Sequence, residues 1–202
     1  MQKASSSITN EQSMLLSRSF AKDPWICKLF SNNSTKAQKF FTFVIRYCEC
    51  IGGKVFVDFQ ESKLTTVACL EYPKTRVSLR KAFTFLTSLV SYLRACGLKP
   101  FRLMNAYMRA TTQLRPNESH YYLICIGVAP ESIGIGIGKK MLNTLHEIVD
   151  SDSSSIGIAL DTENPNNIAL YEHFGYTLTG TVKLDEITIY SLFRLRKIEI
   201  KN

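Results

Sequence analysis

An alternating run of glycines constrains this chain more than any other feature. Residues 128–139 read Val-Ala-Pro-Glu-Ser-Ile-Gly-Ile-Gly-Ile-Gly-Lys, after an apolar strand-like stretch at 120–128 and before an amphipathic helical pattern. A strand that breaks into a glycine loop and then a helix leaves the first helical N–H groups unpaired, with the positive end of the helix dipole behind them. That is an anion cradle, and glycines let the backbone approach the anion closely. Two other glycine motifs fit poorly. The spacing of Gly134, Gly136 and Gly138 is wrong for a G-x-G-x-x-G dinucleotide fingerprint, and a P-loop would need glycine and a hydroxyl where Ile133 and Lys140 stand.

About thirty residues on, the chain reads Leu160-Asp161-Thr162-Glu163-Asn164-Pro165, then Leu170-Tyr171-Glu172-His173-Phe174-Gly175-Tyr176. Together the two segments resemble the signature motifs of the GNAT superfamily of acetyl-CoA-dependent N-acetyltransferases. The first is similar to its V-x-P-x-x-(Q/R)-G-x-G-x-G/A pyrophosphate loop, with Ile133 where the family usually has Gln or Arg. The second is similar to its N-x-x-x-x-x-L-Y-x-x-x-G-(F/Y) segment. The order of Phe20-Ala21-Lys22-Asp23-Pro24, Gly52-Gly53-Lys54-Val55-Phe56-Val57, a basic insert and His120-Tyr121-Tyr122-Leu123 also resembles the puromycin-acetyltransferase-like branch.

At 202 residues, 45% hydrophobic and 21% charged, the chain is large enough for one well-filled core. The expectation is one domain over residues 1–202, with a poorly ordered tail at 1–7. Residues 1–10 are polar and Ser-rich, and no uncharged apolar stretch approaches the ~20 residues that span a bilayer. A cytoplasmic protein without a membrane partner is therefore expected. Six scattered cysteines lack paired zinc spacing and read as buried free thiols, so no metal is expected. The net charge of +8 is uneven: residues 72–117 hold nine lysines and arginines and no acid. Such a block is either a solvated face or a patch for an anionic partner; its apolar residues Phe83, Phe85, Leu86, Leu89, Val90 and Leu93 read as core stripes, so nucleic acid is not the expected partner.

Periodicity predicts helices at 8–21 and 36–51, with Asp23-Pro24 as a break between them. Strands follow at 54–58 and 64–70, then a helical insert at 78–96 and 101–114 interrupted at 97–100. A buried strand at 120–128, a helix at 138–150, a strand at 156–161, a helix at 166–174 and a closing strand pair at 177–182 and 187–195 complete the series. The fold class is α/β (α+β): a single GNAT-like domain whose central mixed, mostly antiparallel sheet is flanked by helices, with the insert between the second and third strands.

The resemblance implies acetyl-CoA as cosubstrate. Backbone N–H groups at Ile126, Gly127 and Val128 would align pantetheine and polarise the thioester. Those of Ile133, Gly134, Ile135, Gly136, Ile137, Gly138 and Lys139 would hold the pyrophosphate, and Asn164 would bond the CoA arm. Tyr171 sits where the family carries its general acid, a role that requires proximity to the sulfur. For the base, His120 shares the strand face of Tyr122 and Ile124 and carries an imidazole, the side chain type suited to taking a proton near neutral pH, or else makes a structural hydrogen bond at the start of its strand. Asp161 would orient the amine or relay its proton, or else lead into the next helix. His146 and His173 read as solvated, and Glu131 and Ser132 as loop formers. The expected activity is direct acetyl transfer to a primary amine of a small molecule, by a monomer or homodimer. Its alternatives are a peptide or protein amine and a non-catalytic acyl-CoA-binding module.

Overall fold

The computed structural model describes residues 6–74, 77 and 79–197. In chain order these form α1 (Ser6–Ser19), α2 (Pro24–Phe30), α3 (Ser34–Cys50), β1 (Lys54–Gln60), β2 (Lys63–Glu71), α4 (Leu79–Cys96), α5 (Leu98–Thr112), β3 (Tyr121–Val128), α6 (Ile137–Ser151), β4 (Gly157–Thr162), α7 (Asn166–His173), β5 (Thr177–Leu184) and β6 (Ile187–Leu195). The single six-stranded sheet has the order β1-β2-β3-β4-β6-β5. Its β3–β4 pair is parallel and its other pairs are antiparallel. The mixed sheet and the helical insert between β2 and β3 are those the sequence predicts. The tail expected at 1–7 falls mostly outside the described residues, Ser6 and Ser7 opening α1.

Strand alternation divides the core. Val67 and Cys69 of β2 point towards the face covered by α1 and α3, whereas Ala68 and Leu70 point towards α6, whose Leu145 and Val149 are fully buried. The β1–β2 hairpin turns on Glu61 and Ser62 alone, both left-handed at φ 48° and 64°. That geometry matches the right-handed strand twist, so Gln60 and Lys63 close the ladder instead of lying in the turn.

Three local expectations need correction. Asp23-Pro24 starts a helix as well as breaking one: Asp23 Oδ1 accepts the N–H groups of Trp25 and Ile26, each at 3.0 Å, and Pro24 takes the first turn of α2. Between α4 and α5 only Gly97 interrupts, at φ 80°, because Pro100 is tolerated within the first turn of α5. On α4, the apolar residues form two stripes and only one meets the core. Phe85, Leu89 and Leu93 pack inward, while Phe83, Leu86 and Val90 stay exposed. Of the basic block, Arg76 lies outside the described residues; Lys74, Arg80, Lys81, Arg94, Lys99, Arg102 and Arg109 are exposed, and Arg115 alone turns inward. Among the described residues, no helix is long and apolar enough to cross a membrane.

One feature of the sheet positions the site. β3 and β4 pair only from Tyr121–Ile158 to Leu123–Leu160. Beyond that point β3 stays with β2 as far as Val128, and β4 stays with β6 as far as Thr162. The two central strands therefore part, and residues 124–126 lose the cover that buries 121–123.

Candidate active site

A cavity of about 390 Å³ fills the parting, within the ~300–1,000 Å³ usual for ligand pockets. Tyr122 to Ile126 of β3 form one side, and Asp161, Glu163, Asn167 and Tyr171 another. Trp25 of α2, Phe40 and Phe43 of α3 and Tyr107 of α5 close it with buried aromatic rings.

Asp161 and Tyr171 line this cavity together, and a residue that the sequence reading passed over joins them. Glu163 lies just beyond β4, and burial, reinforced by the nearby Asp23 carboxyl, pushes its pKa up to about 7. The Tyr107 hydroxyl bonds it and partly offsets that rise. The available signal was weak: an acid between Asp161 and Asn164 in a segment otherwise read for its asparagine and tyrosine.

Asp161 is neither free nor a helix-leading acid. Its Oδ2 accepts from Arg115 Nη2 at 2.7 Å and from the Tyr122 hydroxyl at 2.9 Å, and its Oδ1 accepts from Ser191 Oγ. The Arg115 guanidinium also lies 3.4 Å from the centre of the Tyr122 ring. Three strands and the segment after α5 thus meet at one buried carboxylate, which makes Asp161 a post that fixes the cavity wall. Tyr171 projects from α7 with its ring edge-on to Tyr176, centroids 5.5 Å apart. Burial first, then the neighbouring Glu163, pushes its phenol up to about 12, so it stays protonated at neutral pH.

His120 is placed elsewhere. It immediately precedes β3, its Nδ1 is 2.7 Å from the Glu118 carbonyl, its ring meets Phe193 edge-on, and it is not among the cavity-lining residues. His146, expected in solvent, is buried instead: its Nε2 lies 3.0 Å from the Tyr176 hydroxyl. Burial, then Arg194, lowers its pKa to about 4, so its imidazole is neutral. A helical wheel ranks histidine as polar, and only the packing of α6 against Tyr176 shows otherwise. His173 is exposed, as read from sequence. Glu131 pairs with Arg18 at 2.8 Å, and Ser132 is buried in a short 3-10 turn. Cys48, Cys50 and Cys69 are buried free thiols, whereas Cys27, Cys96 and Cys125 are half-exposed.

β3 runs from the cavity directly into the glycine loop. Gly134 and Gly136 adopt φ of 88° and 84°, where side-chain-bearing residues are strained. Gly136 caps α6 without any side-chain hydrogen bond, and the first backbone bond of the helix is Lys140 N–H to the Gly136 carbonyl at 3.0 Å. The N–H groups of Ile137, Gly138 and Lys139 precede it at the positive end of the dipole. A Cβ at Gly138 would lie 3.1 Å from Val128 Cγ2, so a side chain there would crowd the base of the loop. Ile133 and Ile135 are 69% and 65% exposed and offer the loop no polar side chain, leaving its anion-binding capacity to the backbone and Lys139.

The expected donors on β3 are reduced. Val128 N–H donates to Ser19 Oγ at 3.1 Å, and Gly127 lies against Leu16 and Ser19 so closely that a Cβ would come within 2.8 Å of Leu16 Cδ2. Ala129 N–H points the other way, to Thr65 on the β2 side. Alternation therefore directs Ile126 N–H, like that of Val128, towards the parting. Asn164 Oδ1 accepts from Asn166 N–H at 3.1 Å and tightens the approach to α7. The exposed cations of the insert do not line the cavity, whose charged side chains among the described residues are all acids.

Residues 103–176 match the model of the acetyltransferase (GNAT) family. Solved structures resemble the whole chain. One from Corynebacterium glutamicum, described as histone acetyltransferase HPA2 and related acetyltransferase, is 18% identical; the match covers 98% of this chain and 97% of that one, with a TM-score of 0.68. The ribosomal-protein-S18-alanine N-acetyltransferase from Escherichia coli is 14% identical, with 100% and 96% covered and a TM-score of 0.57. An acetyltransferase of the GNAT family from Streptococcus pneumoniae is 13% identical, with 97% and 98% covered and a TM-score of 0.53. At such identities the likeness is one of fold. The 103–176 segment thus matches the GNAT acetyltransferase family, and the elements around it complete the fold shared with these solved structures.

Proposed function

We propose that the protein transfers an acetyl group from acetyl-CoA directly to a primary amine of a small molecule. One observation carries the reading. The cavity where β3 and β4 part holds a carboxyl group with a pKa of about 7 beside a protonated phenol, and β3, which lines that cavity, leads on to the glycine loop and the N-terminus of α6. The recess of the cavity among buried rings favours a small acceptor over a peptide or protein.

Acetyl-CoA would supply the acyl group as a thioester. The residues suited to hold it are the N–H groups of the 133–139 loop for the pyrophosphate, with Lys139 adding charge, and Asn164 for the arm. Ile126 N–H is the β3 donor suited to a thioester carbonyl. Glu163 is the base: above about pH 7 its carboxylate accepts the proton that the attacking nitrogen must lose, and a pKa near the working pH suits that role. Asp161 acts as a positioning residue through Tyr122 and Arg115.

Tyr171 donates to the departing sulfur. Full transfer from a phenol at about 12 to a thiolate whose acid titrates near ~8.5 is uphill by about 5 kcal/mol, an order-of-magnitude figure. Tyr171 therefore stabilises the thiolate by hydrogen bonding instead of giving up its proton. His120 has no part in this scheme, being held at the other end of β3 by Glu118.

The test is thiol release from acetyl-CoA over a panel of small amines and peptides, against pH. Wild type should turn over small amines, with kcat/KM rising through an apparent pKa near 7. Glu163→Gln should lose on the order of 10²-fold or more and flatten that rise, and Tyr171→Phe should lose on the order of 10²-fold while keeping it. Acetyl-CoA binding without thiol release from any amine would leave the acyl-CoA-binding module as the better account. Turnover of peptides alone would refute the small-molecule acceptor.

A further inference from the structure

We infer that the cavity binds a primary ammonium carried on an aromatic or similarly bulky apolar body and bearing no anionic group. Resting on the acetyltransfer reading, this molecule is the acceptor. Trp25 and Tyr107 tilt against each other at 5.0 Å, Phe43 and Phe85 pair at 5.6 Å, and Trp25, Tyr107 and Phe43 are buried. A hydrophilic amine placed there would lose its hydration against rings that offer little in return, whereas an aromatic body gains contact area and ring packing.

The polar end has one sign. Among the described residues, the charged side chains that line the cavity are Asp23, Asp161 and Glu163, with no Lys, Arg or His. Arg115, the nearest candidate counter-ion, is committed to Asp161 and to the Tyr122 ring. A carboxylate or phosphate on the ligand would enter against acids with no cation to pair it. An ammonium finds the opposite. Asp23 is pinned by the N–H groups of Trp25 and Ile26, so its carboxyl is fixed at the head of α2, on the helix that supplies the Trp25 wall. Asp23 and Glu163 are close enough that Asp23 raises Glu163, with Tyr107, Asp161 and Tyr171 as its other polar neighbours. Two acids that oppose each other's ionisation are relieved by a cation between them. Body and charge are thus recognised by adjoining residues of α2, and the ammonium nitrogen rests beside the proposed base.

The chain contains one tryptophan, and it lines the cavity, so occupancy can be read without any reaction. Phenethylamine is titrated into the full chain without acetyl-CoA, alongside 3-phenylpropionate and ethanolamine, following Trp25 fluorescence. The expected result is saturable binding of phenethylamine, with the two others at least tenfold weaker. Asp23→Asn should weaken phenethylamine at least tenfold; asparagine caps a helix as well as aspartate does, so α2 is retained while the charge is removed. Phenylpropionate or ethanolamine binding as tightly as phenethylamine overturns the inference. So does unchanged phenethylamine affinity in Asp23→Asn. The two claims separate cleanly. Phenethylamine that binds without thiol release on addition of acetyl-CoA supports the ligand class and defeats the transfer reading; thiol release from a hydrophilic amine, with no phenethylamine binding, does the reverse.

Discussion

Glu163 and His146 show how far burial shifts a residue from its ordinary chemistry, and they do so in opposite directions. Folding raises Glu163 to about 7 from 4.5, so the folded chain takes up its proton first and gains stability as pH falls through that window. Folding lowers His146 to about 4 from 6.5, so the unfolded chain takes up its proton first and stability falls as pH drops from 6.5 towards 4, by about 3 kcal/mol in all. Between pH 7 and 5 the two slopes oppose each other. Urea midpoints at these two pH values should therefore move little in wild type. Glu163→Gln should lose stability on acidification and His146→Leu should gain it; parallel behaviour of the two variants would refute the assignment. Neither residue announced this in sequence, because a pKa depends on what surrounds a group and not on the group's place in a pattern.

At the scale of elements, the strand–loop–helix of β3 and α6 was legible because each part has a chemical requirement. An apolar run supplies the strand, and positive φ at Gly134 and Gly136 needs glycine. A Cβ at Gly136 would meet nothing within 4 Å, so Gly136→Ala probes backbone conformation alone. It should lower stability by about 1–2 kcal/mol and weaken acetyl-CoA binding as the N–H groups turn away; thermal melting and calorimetric titration measure the two effects. Unaltered CoA affinity would remove the loop from the binding site. The α2 helix was missed because Asp-Pro signals a stop and a start equally well. The α4 stripes were overread because helical periodicity identifies apolar faces without saying which of them acquires a neighbour; α3 covers Phe85 and Leu89 and leaves Phe83 and Leu86 outside.

For the molecule as a whole, the cavity exists because two ladders compete for the central strands. β2 holds β3 to Val128 and β6 holds β4 to Thr162, so the parting cannot close by local rearrangement. Asp161 ties the two halves together through Arg115, Tyr122 and Ser191. The Arg115 and Asp161 side chains are only 9% and 1% exposed, so Arg115→Ala strands a buried carboxylate and should destabilise the fold by about 3–5 kcal/mol. Adding Asp161→Asn should restore a substantial part, as seen in denaturant midpoints; no recovery in the double variant would mean that the ion pair is not the cause.

Sequence by itself determined the order of helices and strands, the glycine loop, the segment carrying Tyr171 and the fold class. Each of these rests on local rules of periodicity, backbone conformation and capping, which act over a few residues. Tertiary structure alone decided that Glu163 stands in the cavity while His120 does not, that Asp161 is engaged by three donors, and that His146 is buried. It also brought Asp23 and Trp25, from near the beginning of the chain, to the same cavity as Glu163. Those relations join residues 30 or more positions apart in the chain, and both their desolvation and their mutual fields arise only when the helices close over the parted strands.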